Sequence, residues 1–182
     1  MNLDAVIQQL RVACPAFAGR VAGAANFAAG IATQAWLETP AAYVVPLEED
    51  AADNTDYGGL QQLVTERIAV IVHYDNAADR RGQGPSSGLD AMRTQVFRAI
   101  LNWRPDPQRS PRGIAYAGGS VLESEQFRAR LFYQLEFVQT VLITEADGWQ
   151  PAETPLLEID VTRTDASTGA ELSGIRVPLP QF

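Results

Sequence analysis

The feature that most constrains this chain is the alternation along residues 60–75. Val64, Ile68, Val70, Val72 and Tyr74 fall on one side, and Thr65, Arg67, Ala69, Ile71 and His73 on the other. Successive side chains of an extended backbone point to opposite faces, so the pattern predicts one long β-strand. One face is apolar and the other mixed, as in a sheet with helices packed on one side only. Residues 127–143 repeat the pattern: Ala129, Leu131, Tyr133, Leu135, Phe137, Val141 and Ile143 alternate with Arg128, Arg130, Gln134, Glu136 and Thr140.

Two stretches carry the helical period instead. Residues 2–14 gather Leu3, Val6, Ile7, Leu10 and Cys14 on one face, and Pro15 ends the run. A second helix is predicted to start at Ser87, with Asp90 completing the start signal, and to run to about Trp103. Leu89, Met92, Val96, Phe97, Ile100 and Leu101 form its buried stripe, and Arg104-Pro105-Asp106-Pro107 stops it. Between the first helix and the first long strand, the Ala- and Gly-rich residues 17–35 read as a short helix plus loops, with Phe27, Ile31 and Trp36 as anchors. Ala41-Ala42-Tyr43-Val44-Val45-Pro46 reads as a strand that Pro46 ends or places at a sheet edge.

Three segments read as loops: acidic residues 48–59, polar residues 75–88 with Arg80 and Arg81, and a turn-rich stretch holding Arg109, Arg112, Gly118 and Gly119. Residues 156–163 and 172–179 alternate around Asp165-Ala166-Ser167-Thr168-Gly169, predicting a C-terminal hairpin. The order of elements predicts an α+β fold: a mostly antiparallel mixed sheet with helices packed on one face, plus the C-terminal β-hairpin. Residues 1–145 form the expected α/β domain and residues 146–182 the hairpin extension.

Composition removes several classes of function. With 182 residues, 46% of them hydrophobic, the chain can bury a core without disulfides or structural metal. Cys14 is the only cysteine, so it pairs with nothing in its own chain and reads as a small buried hydrophobe. The net charge is −8, a poor basis for coating nucleic acid through phosphate neutralisation. Every basic residue is an arginine, whose planar guanidinium suits paired contacts at protein interfaces. No apolar run reaches bilayer length, and Met1-Asn2-Leu3-Asp4 lacks the order of a secretory signal. A soluble protein, made and used in a cytoplasm, is expected.

No catalytic constellation can be assembled. His73 is the only histidine and alternates within a strand, where a structural role is the rule; general acid–base work needs a partner and a cleft. With one His and one Cys, a zinc site would need mostly carboxylates. Gly82 and Gly84 stand between a strand and a helix, yet Pro85 and the missing third glycine spoil a dinucleotide loop. Asp50, Asp53 and Asp56 lack the calcium-loop spacing. No catalytic, cofactor-binding or metal-binding residue is therefore assigned.

What remains are contact surfaces. Glu48, Glu49 and Asp50 lie in one loop and Arg80 and Arg81 in another. Separated patches of opposite sign suit head-to-tail contacts between identical subunits, and such contacts close into rings. The plain alternative for the acidic loop is a solvated surface. Trp103 follows the helix stripe and belongs to the core, whereas Trp149, in Asp147-Gly148-Trp149-Gln150-Pro151, is as suited to anchoring an interface as to packing.

The order of segments also matches a known pattern. After the N-terminal helix come Ala42-Tyr43-Val44-Val45-Pro46 and a strand ending Ile71-Val72-His73-Tyr74-Asp75. An Arg-Gly loop, a helix closing on Leu101-Asn102-Trp103-Arg104-Pro105, and Tyr116-Ala117-Gly118-Gly119 before a long strand complete it. This resembles the tail terminator-like proteins of siphophages and prophages, over residues 1–145. The resemblance implies a non-enzymatic subunit that forms a homohexameric ring on the last ring of the tail tube. That ring stops tube growth and offers the surface to which the filled head joins. Implied partners are further copies of the chain, the tail tube protein and a head-completion or connector protein; DNA passes the lumen without specific binding, and no membrane is involved. An acidic lumen would favour passage by repelling phosphates. The implied location is the virion, after assembly in the cytoplasm of a bacterial host. Glu48, Glu49, Asp50, Arg80, Arg81 and Trp149 are the expected subunit or tail-tube contacts. Another neck component, such as a stopper, is the nearest rival. A small-ligand or carbohydrate-binding domain using Trp149 and Tyr116 as stacking platforms is the rival of a different class.

Overall fold

The computed structural model describes residues 2–74, 84–122, 131–150 and 158–178. Two compact units divide the chain at residues 148 and 149. The first contains α1 (Leu3–Ala13), a 3-10 turn (Pro15–Phe17), β1 (Val21–Gly23), α2 (Ala24–Thr33), β2 (Ala41–Ala51), β3 (Gln61–Tyr74), α3 (Gly84–Ile100), β4 (Ala115–Leu122) and β5 (Leu131–Thr144). The second contains the antiparallel hairpin β6 (Glu158–Thr164) and β7 (Glu171–Pro178).

The two alternating segments pair with each other. β3 and β5 run antiparallel in continuous register from Gln61↔Thr144 to Tyr74↔Leu131. They form the centre of a five-stranded sheet of order β1-β2-β3-β5-β4, in which β1 alone pairs in parallel. Alternation then assigns the two faces. Ile68, Val70 and Val72, with Val44, Leu135 and Phe137, pack against Val6 and Leu10 of α1 and Met92, Val96 and Ile100 of α3. Each such side chain taken fully out of water contributes about 1.5–3 kcal/mol, so this layer dominates stability.

The α+β class holds, with one departure from one-sided packing. Tyr43, Ala69, Ile71 and Phe132 form a second core on the opposite face, covered by Phe27 and Ile31 of α2 and by Trp36. The reason is visible in β3: its mixed face carries Ala69 and Ile71 at this end, so both faces are apolar there. Helix α2 comes close through Gly30, where an added Cβ would fall within the Trp36 indole.

Local signals explain the helix ends. Asn2 caps α1 by accepting a hydrogen bond from the Ala5 amide at 3.1 Å, which satisfies an otherwise orphaned N-terminal donor. Gln9 donates to the Ala99 carbonyl at 3.0 Å and Gln95 accepts from the Ala16 amide at 3.1 Å, tying α1 and the 3-10 turn after it to α3. Helix α3 starts at Gly84 instead of Ser87 and stops at Ile100 instead of Trp103. Asn102 takes a left-handed conformation (φ 60°), and its amide donates to the Ile114 carbonyl at 2.8 Å, which turns the chain out of the helix. Leu101, placed in the buried stripe by spacing, is consequently 37% exposed. Trp103 packs against the core as expected.

Two strands went unread. β1 is only three residues long. Gly118 and Gly119 predict a turn in β4, where the structure has a strand with a register shift between Tyr116 and Gly118.

Candidate functional site

The only histidine and the only cysteine are sealed. His73 is 1% exposed, stacked on Phe132 with ring centroids 4.4 Å apart, with Trp36 at 5.9 Å. Cys14 is fully buried, and desolvation pushes its thiol up to about 11, so it stays protonated at neutral pH. Among the described residues no cluster of three or more His, Cys, Asp or Glu stands ready to hold a metal ion. None of their helices is long and apolar enough to cross a membrane.

The acidic residues are placed differently from expectation. Glu48, Glu49 and Asp50 belong to β2, not to a loop, because the strand continues past Pro46 to Ala51 with a bulge between Pro46 and Glu49. All three are exposed. Glu48 bonds Arg67 of β3 at 2.8 Å, and Arg67 reaches Glu136 of β5 at 3.4 Å. Gln134 donates to Glu136 at 2.8 Å. This polar ladder crosses three strands on the face that α2 covers further along. Partly exposed pairs of this kind contribute about 0–1 kcal/mol each, so the ladder sets geometry more than stability.

Beyond the ladder, β2 and β3 continue into a hairpin tip, residues 52–60. Asn54 organises it: its Oδ1 accepts from the amides of Asp56 (3.2 Å) and Gln61 (2.8 Å). Its Nδ2 donates to the carbonyls of Asp56 (2.9 Å) and Gly59 (2.8 Å). The Thr55 amide donates to the Gln61 carbonyl at 2.9 Å. Tyr57 stands at this ordered tip fully exposed. Sequence reasoning passed over Tyr57; an aromatic between Asp56 and Gly58, in a segment with no apolar period, was the available signal.

Two arginines lie beside the start of β4. Arg104 and Arg112, both exposed, line an open groove of about 750 Å³ with Leu101, Gly113 and Ala115. Arg109 pairs with Asp147 at 2.9 Å, and its carbonyl accepts from the Leu142 amide at 2.7 Å, so the segment before β4 is anchored to β5. Nearby, Gln139 donates to Ser110 at 2.8 Å, a buried polar pair under a crevice of about 470 Å³. Tyr116 packs against Phe97 of α3, ring centroids 4.7 Å apart and planes tilted by 57°, while remaining 38% exposed. Trp149, the first residue of the second unit, is 87% exposed. Arg80 and Arg81 lie outside the described residues.

Residues 1–147 match the protein family described as phage tail terminator protein. Among solved structures, a chain of the virion of the native gene transfer agent particle is similar at 21% identity and a TM-score of 0.48. That likeness covers 78% of this chain and 94% of the other. No curated protein matches the chain.

Proposed function

The chain belongs to the phage tail terminator protein family, and from that premise we propose that it caps the tail tube as a ring, ends tube elongation and presents the surface that the head joins. The observation that carries this reading is the extent of the family match, residues 1–147, which takes in the whole five-stranded sheet and its helices. The geometry supports it by what it leaves accessible. The histidine and the cysteine are buried, while the exposed features include strand edges, a pre-ordered hairpin tip and separated charges.

In this reading the chain works without catalysis, through contacts alone. Glu48, Glu49 and Asp50 on the exposed end of β2, Arg80 and Arg81, and Trp149 contact neighbouring subunits or the tube. A chain with net charge −8 suits a lumen through which DNA slides, since like charge keeps phosphates from adhering. The assembled protein is a virion component lying between the tube and a head-completion protein.

Labelling the protein on finished particles tests the placement. We expect averaged electron micrographs to show it as a ring at the head-proximal end of the tube. Label distributed along the tube, or confined to the head side of the neck, would instead favour a tube or stopper role.

A further inference from the structure

Residues 149–182 form a compact unit of their own, beyond the family match. Among the described residues, both cores of the first unit close with residues up to Phe137, without the hairpin. The hairpin's turn is nevertheless well built: the Asp165 carboxylate accepts from the amides of Ser167 (2.8 Å) and Thr168 (3.1 Å). Pairing sorts its side chains onto two faces. Val161 lies opposite Ile175 and Arg163 opposite Ser173, with Val177 two residues beyond Ile175 on the same face. Thr162 and Gly174 belong to the other face. Val161, Ile175 and Val177 are 55%, 66% and 44% exposed. A two-stranded hairpin is marginal in water until a further layer covers its apolar face.

The five-stranded sheet has a surface of the same kind. On the face that α2 and Trp36 cover at Ala69 and Ile71, β3 continues the other way through Arg67, Thr65 and Leu63. These three pair with Val138, Thr140 and Leu142 of β5. Leu63 is 42% exposed and the three β5 residues are partly exposed. None of Leu63, Val138 and Leu142 belongs to either core. Thr65 also pairs with Asp50 of β2, which is exposed.

The two surfaces match in spacing and in charge. Each presents an aliphatic pair on adjacent strands, Val161 with Ile175 on the hairpin and Leu63 with Leu142 on the sheet. Two residues from Val161 stands Arg163; two residues from Leu63 stands Thr65, with Asp50 beside it. Laying one aliphatic pair on the other therefore brings Arg163 over Asp50. We propose that the β6–β7 hairpin of one copy packs face on face against residues 61–67 and 138–144 of the next copy. Val161 and Ile175 then cover Leu63 and Leu142. This rests on the ring reading above and specifies its contact. The occupant is a second copy because every chain carries both surfaces, each exposed, with the same spacing and opposite charges. Each copy gives a hairpin and receives one, a heterologous contact of the sort that closes into rings. Burial of the aliphatic pairs supplies the adhesion and the charge pair fixes the register.

Crosslinking of the full chain, on tail tubes or concentrated in solution, tests this. The variant Leu63→Cys with Ile175→Cys is treated with a bis-maleimide spanning about 10 Å, the usual separation of packed sheets. Cys14 is buried and stays out of the reaction. A ladder of covalent oligomers up to the closed ring is expected. A mixture of the two single variants is expected to stop at dimers, the mark of a head-to-tail contact. As a second readout, Val161→Asp with Ile175→Asp is expected to raise the concentration needed for rings at least about tenfold. Amide protection of β3 and β5 should not change. An internally linked monomer in place of the ladder overturns docking on a second copy. Rings that form, withstand the paired aspartate substitutions and give no crosslink overturn the hairpin contact and leave the ring reading standing. Absence of rings for the unaltered chain, both in solution and at tube ends, overturns both.

Discussion

His73 lies flat on Phe132 across the β3–β5 pair, with ring centroids 4.4 Å apart and planes 2° from parallel. The relationship makes the only histidine part of an aromatic layer with Trp36. Removing the ring with His73→Ala leaves a cavity in that layer and is expected to cost about 2–4 kcal/mol in urea unfolding. His73→Phe is expected to keep the fold and tail completion. Loss of function in a well-folded His73→Phe protein would mean that the imidazole has chemistry of its own.

Gly30 offers a test of opposite sign to the usual rule. In a helix interior Gly→Ala ordinarily gains about 1 kcal/mol. Here the new methyl would occupy the space of the Trp36 ring, and overpacking of this kind costs about 1–3 kcal/mol. Thermal unfolding of Gly30→Ala is expected to show a net loss; a gain would mean that Trp36 is free to swing away.

Cys14 gives a pH dependence. Burial raises its thiol from 9.0 to about 11. The unfolded chain releases that proton first, so the contribution is fully present below pH 9 and lost as pH rises towards 11. Comparing the chain with Cys14→Ala at pH 8 and pH 10.5 should show the difference narrowing at the higher pH. Iodoacetamide at pH 8 should label Cys14 only in denaturant; rapid labelling of the native protein would contradict its burial.

How far the sequence revealed this fold follows from which segments the helices cover. β3 and β5 alternate because one of their faces meets α1 and α3 along much of their length, and α1 shows its stripe for the same reason. The end of β2 is different. Glu48, Glu49, Asp50 and Ala51 run past the helices with both faces in water, so nothing imposes a period and the acidic strand reads as loop. In β4 the Gly118-Gly119 pair mimics a turn, and β1 is too short to carry a pattern. Of the candidate contact residues, charge located Glu48, Glu49 and Asp50 without revealing their strand. Tyr57 was missed because exposure at a hairpin tip leaves no periodic trace. Arg104 and Arg112 were read as a helix stop and a turn, since their common groove is created by the chain reversal at Asn102.

The hairpin tip yields a prediction about order without change of fold. Asn54→Ala removes the four hydrogen bonds that organise residues 54–61. At about 0.5–1.5 kcal/mol net for each such bond, and less where water replaces it, the global cost is expected to stay near 1–2 kcal/mol. Amide exchange should accelerate at residues 56–61 while β5 stays protected. If the tip docks onto a partner, tail completion should weaken more than stability does.

Tail length, measured by electron microscopy on particles assembled with and without the protein, tests the central claim most directly. Over-long tubes of scattered length are expected in its absence, returned to one uniform length when the protein is added back. Tubes of normal length in its absence would contradict termination, whether or not heads then join.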